Sequence, residues 1–221
     1  MKNILLTVVI TLLFSCKKED TPNWKDHWEN VTIKKELLNN PKIHPRIKES
    51  LIDTSIIVIT TYLKEDIEKY NTLKSLGDIN NDGINDSILV IPELYIGKTG
   101  DVEEAASILF TDKTIPRVSV DVGCLGTDFF FPVADIDEDG IMELGQYYTS
   151  CASRFKSLIL IALQDNKWTP QGQVTFDIWF DDPIKEERIM KTGLNSFKMR
   201  EITTESPDSI IDIWLPFTMK K

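Results

Sequence analysis

Asp78-Ile79-Asn80-Asn81-Asp82-Gly83-Ile84-Asn85-Asp86 returns 57 residues later as Asp135-Ile136-Asp137-Glu138-Asp139-Gly140-Ile141-Met142-Glu143. Both copies read D-x-[DN]-x-D-G-I-x-[DE]. Oxygen-bearing side chains fall at positions 1, 3, 5 and 9, glycine at 6 and isoleucine at 7. Alternate residues of a tight loop can turn carboxylates and amides inward, while glycine supplies the sharp turn. Such a spacing suits a hard cation that takes six to eight oxygens. Asp, Asn and Gly are also ordinary turn residues, and one D-G pair by itself means only a hairpin. Two copies with the same spacing, the same Gly and the same Ile favour metal. Charge favours it too: the first loop holds three carboxylates, and the second holds four at ligand positions plus Glu138. A pair of carboxylates at ~4 Å repels by ~1 kcal/mol in water and ~4 kcal/mol at an effective dielectric of 20. A divalent cation would remove that strain. Two calcium sites are therefore expected, with the residue at 7 giving its carbonyl to the ion and its side chain to the core.

An EF-hand needs a bidentate acid at position 12, where this chain has Leu89 and Gln146. A dockerin loop fails on the same count. Strand-like sequence flanks both loops, Leu73–Leu76 and Ser87–Ile91 around the first, Phe129–Ala134 and Leu144–Tyr148 around the second. Each loop thus joins two strands. The motif resembles the calcium hairpin of FG-GAP/VCBS repeats, found in integrin-type β-propellers, over roughly residues 73 to 163. The resemblance implies Asp78, Asn80, Asp82, Ile84 (by its carbonyl) and Asp86 as one ligand set. It implies Asp135, Asp137, Asp139, Ile141 (carbonyl) and Glu143 as the other. Glu143 departs from the usual Asp, and two copies are too few for a seven-bladed ring.

Short β-rich runs continue to the C-terminus, at 105–110, 117–122, 156–163, 173–180, 195–202 and 209–215, with turn residues between them. The expected fold is mainly β over 73–221, a sandwich or an incomplete propeller-like domain. The continuous run Ser157–Leu163 reads as a central strand. Ahead of it, 31–72 reads as a small helical or mixed segment packed on the β domain. Val31–Asn39 is a helix stopped by Asn40-Pro41, and Pro45 opens a second helix to about Asp53. Ser55–Thr61 reads as a strand, or as part of a longer helix, and Tyr62–Tyr70 as a charged helix or strand edge.

At the N-terminus Lys2 precedes an apolar run from Ile4 to Phe14, too short to span a bilayer and typical of a secretory segment. Leu13-Phe14-Ser15-Cys16 resembles a bacterial lipobox, and Cys16-Lys17-Lys18-Glu19-Asp20 resembles the start of many Bacteroidetes lipoproteins. The resemblance implies a signal peptide over 1–15 and a tether over 16–30. It also implies membrane attachment through acylated Cys16 and an outer-membrane location, on the periplasmic face or the cell surface. Trp24 and Trp28 read as residues that dock the tether onto the domain.

Export would place Cys124 and Cys151, which flank the second loop, in an oxidising compartment, where a disulfide between them is expected, the alternative being two buried thiols. A net charge of −10 argues against nucleic acid as a partner. The two histidines, His27 and His44, lie outside the β region, and no nucleophile or phosphate-loop motif is present. No catalytic residues are expected. Tyr147, Tyr148 and Arg154 read either as a strand end with its turn or as a recognition loop. Size, anchor and loops resemble the small periplasmic lipoproteins that inhibit lysozymes or confer immunity to peptidoglycan-cutting toxins. The resulting expectation is a calcium-stabilised, lipid-anchored, non-catalytic module that binds a protein or a glycan. The alternative is an exported hydrolase or glycan-processing accessory lipoprotein.

Overall fold

A computed structural model describes residues 28–124, 126–148, 151–177, 188–206 and 209–220. Residues 1–15, expected as a signal peptide, and Cys16, Trp24 and His27 lie outside these residues, as does the end of the expected strand 173–180. Among the described residues, four short helices come first: α1 Val31–Asn39, α2 Pro45–Ile52, α3 Thr60–Glu65 and α4 Ile67–Tyr70. Asn30 caps α1, its side chain accepting from the backbone N–H of Thr32 and Ile33. Pro45 opens α2 behind His44, whose Nδ1 accepts from Arg46 N. Eleven strands follow: β1 Lys74–Gly77, β2 Asp86–Ile96, β3 Val102–Phe110, β4 Val118–Val120, β5 Phe130–Pro132, β6 Leu144–Tyr148, β7 Phe155–Gln164, β8 Lys167–Asp177, β9 Ile189–Gly193, β10 Ser196–Ser206 and β11 Ser209–Thr218.

The chain is mainly β, and its described strands close no barrel. They form three consecutive antiparallel meanders: β1-β2-β3-β4, β5-β6-β7-β8 and β9-β10-β11. A single parallel pairing of Ile202 with Phe176 joins the last two meanders along β8 and β10.

The meanders stack face to face with a separate core at each junction. Ile88-Leu89-Val90-Ile91 in β2 shows why. Leu89 and Ile91, with Leu109, meet Leu37, Ile47, Leu51 and Leu63 of the helices. Ile88 and Val90, with Ile108 and Phe110, meet Phe130, Leu144 and Ile161 of the second meander. Alternate side chains leave opposite faces of a strand, so a strand covered on both sides carries an unbroken apolar run. Leu158, Leu160 and Val174 then pack against Phe197, Met199 and Ile202 of the third meander. Each fully buried Leu, Ile or Phe contributes about 1.5–3 kcal/mol.

Ser55–Thr61 forms neither a full strand nor one long helix. Ile59 N donates to Pro92 O, Leu94 N donates to Ile57 O, and Val58 bridges Glu93, after which α3 starts at Thr60. Only the stretch of β2 beyond β1 is left for it to pair with. Trp28 meets Tyr62 edge-on at 5.9 Å, and its carbonyl accepts from Thr60 Oγ1, so it does dock on α3.

Candidate metal centre

Each motif loop connects the first strand of a meander to its second, β1 to β2 and β5 to β6. The two share one hydrogen-bond plan. The carboxylate at position 1 accepts from the backbone N–H of positions 5 and 6, at 3.0 and 2.8 Å for Asp78 and at 3.1 and 3.0 Å for Asp135. The oxygen at 3 accepts from N–H 5, at 3.3 Å for both Asn80 and Asp137. The carboxylate at 5 accepts from N–H 7, at 2.8 Å for both Asp82 and Asp139. The carboxylate at 9 reaches back to N–H 2, at 3.1 Å for Asp86 and 2.6 Å for Glu143. Positive φ falls at the same places, 57° and 63° at Asn81 and Glu138, and 89° and 92° at Gly83 and Gly140. Left-handed backbone favours glycine and tolerates Asn.

Position 9 is the buried one. Asp86 and Glu143 are each 2 % exposed, and each spends one oxygen on a backbone N–H. The other oxygen receives no hydrogen bond among the described residues. Burying a carboxylate in this way is costly unless something compensates its charge. Burial pushes the Glu143 carboxyl up to about 7, with Asp137, Asp135 and Asp139 adding repulsion and the Ile136 N–H opposing. Burial also raises Asp86 and Asp137. Carboxylate oxygens of Asp135, Asp137 and Glu143 lie within 4.8 Å of one another. An all-oxygen anionic donor set with this convergence fits a hard divalent cation. Asp139 is exposed and stands outside that tight group.

Two side-chain expectations need correction. Ile84 is 68 % exposed, so position 7 of the first loop does not feed the core. Position 2 does: Ile79 and Ile136 are fully buried. Their carbonyls also link the layers. Ile79 O accepts from Met142 N at 2.7 Å, and Ile136 O accepts from Asn195 N at 3.0 Å in the β9–β10 turn. Each loop is thereby tied to the next meander, and the β9–β10 turn takes the place of a third loop without its acids. Lys191 of β9 stands beside the second loop, donating to Asp135 O at 2.7 Å and to Glu138 at 3.2 Å.

Tyr147 is not a surface anchor. It is 5 % exposed and stacked on Phe129 at 5.6 Å, and burial pushes its phenol up to about 12. Alternation in β6 sends it into the core shared with the third meander. Arg154 pairs with buried Asp177 at 3.2 Å and covers the ring of Phe155. Tyr148 pairs with Ser157 through the backbone of β6. Cys124 and Cys151 are joined in a disulfide, with their Cα atoms 5.8 Å apart. It ties the segment before β5 to the segment after β6. No family model, curated protein or solved structure matches this chain.

Proposed function

We propose that this chain is a calcium-stabilised, lipid-anchored binding module of the cell envelope, without catalytic activity. The observation that carries the calcium reading is the repeated loop plan with an acidic side chain buried at position 9, whose second oxygen accepts no hydrogen bond among the described residues. Asp78, Asn80, Asp82, Ile84 and Asp86 hold one ion, and Asp135, Asp137, Asp139, Ile141 and Glu143 hold the other. Calcium supplies the positive charge that these crowded carboxylates lack and pins β1 to β2 and β5 to β6. The lipobox-like Cys16 supplies the anchor. A protein or glycan is bound on the rigid surface that results.

Isothermal titration of the chelator-treated chain with calcium chloride tests the metal reading, and two equivalents are expected. A chain that takes up none, and whose melting temperature calcium leaves unchanged, is not a calcium protein. Radiolabelled palmitate incorporation that survives Cys16→Ala would remove the anchor.

A further inference from the structure

The two loops differ at position 3. The second has Asp137, whose two oxygens are equivalent. The first has Asn80, whose amide has one oxygen and one NH₂ and brings no charge. An amide turned the wrong way would point N–H groups at a cation.

The structure supplies the first loop with a side chain that the motif does not contain. Asp112 lies in the β3–β4 turn, 32 residues along the chain from Asn80, and its Oδ2 accepts from Asn80 Nδ2 at 2.8 Å. Asn80 Nδ2 also lies 3.3 Å from Asp82 Oδ2. Ionised carboxylates only accept, so the nitrogen faces them, and Oδ1 is left on the loop side, where it accepts from Asp82 N at 3.3 Å. Asp112 is itself held, accepting from Thr114 N and from Thr114 Oγ1, each at 2.8 Å. The turn is fastened on three sides. Thr111 exchanges hydrogen bonds with Ser87 at the end of the loop, Arg46 Nε donates to Phe110 O at 2.7 Å, and Lys113 pairs with Glu49 of α2. Loop and turn together line an open cavity of about 550 Å³. Among the described residues no side chain from the β7–β8 turn hydrogen-bonds to Asp137.

We propose that Asp112 is a positioning residue of the first calcium loop: it orients the Asn80 amide with its oxygen inward and restores the fourth negative charge that the second loop carries at its own position 3. The inference rests on the calcium reading above and deepens it. Charge count and ligand orientation both set calcium affinity.

The test is calcium titration calorimetry on the full chain. Wild type should show two sites. Asp112→Ala should weaken one of them by about 10- to 100-fold and leave the other alone, the usual range for a group that orients a ligand. Asp112→Asn, which preserves size, should weaken the same site. Asn80→Asp combined with Asp112→Ala rebuilds the second loop's chemistry and should return that site to within about threefold of wild type. On an Asp135→Ala background, where only the first loop binds, the Asp112 effect should persist. Unchanged affinities in both Asp112 variants, or failure of Asn80→Asp to rescue, overturn the role of Asp112 while the calcium reading stands. A wild-type chain that binds no calcium overturns both.

Discussion

The two motif loops share a backbone and differ in what surrounds it. The second concentrates its charge within itself, with Asp135, Asp137 and Glu143 converging and Glu143 pushed up to about 7. It is also braced from outside by Lys191. The first spreads its charge, uses a neutral amide at position 3 and takes Asp112 from a distant turn. Nine residues with one hydrogen-bond plan can therefore sit in two electrostatic environments. Local sequence sets the plan and each loop's own charge, and the packed neighbours Asp112 and Lys191 adjust it.

On the proposed reading, removing calcium would act on both loops at once and should have the largest effect. At a hundredfold excess over Kd, each proposed site would add about 2.7 kcal/mol, so excess chelator should cost about 5 kcal/mol in total. Differential scanning calorimetry reads this directly. Loss of only half would mean that one loop alone is filled.

Truncating the position 2 side chains comes next. Ile79→Ala and Ile136→Ala each empty a fully buried site and should cost about 2–5 kcal/mol in denaturant unfolding. The exposed Ile84→Ala should stay within about 0.5 kcal/mol. A large loss at Ile84 would restore position 7 as the core residue of the first loop.

In metal-free protein the second loop should dominate the pH dependence. Glu143 has a folded value of about 7 against an ordinary value of 4.5. The unfolded carboxyl ionises first, so its contribution to stability is fully present below about 4.5 and is lost as pH rises through about 7. The apo chain should weaken over that window by on the order of 3 kcal/mol. Glu143→Gln should flatten the profile, whereas Asp86→Asn should leave most of it. An apo chain equally stable at pH 5 and pH 8 would contradict this.

The backbone comparison predicts the smallest effect. Gly83→Ala and Gly140→Ala meet open space but hold φ near +90°, so each should cost about 1–2 kcal/mol, and by similar amounts. Unequal losses would show that the two turns are not mechanically equivalent.

Much of this architecture was legible along the chain. Strand runs and helix punctuation placed most elements to within a few residues, because burial on one or both faces leaves its period in the sequence. Ile189–Gly193 escaped notice: β9 is short and mixed, and it forms only by folding back on β10 across Leu194 and Asn195, whose φ is 57°. The turn residues Gly193 and Asn195 were its only signal. The Ser55–Thr61 run looks like a strand because β-branched residues also suit an irregular segment that pairs briefly with the free edge of β2.

The sequence by itself determined the two acidic turns. Their donors and glycines lie within nine residues, and local stereochemistry is enough to shape them. Tertiary structure decided the rest: stacking of the meanders set Tyr147 inward and buried Ile79 and Ile136 within the two loops, and pairing of β2 with β3 brought Asp112 to Asn80. Those contacts join residues far apart in the chain, and no local pattern records which face of one sheet another will cover.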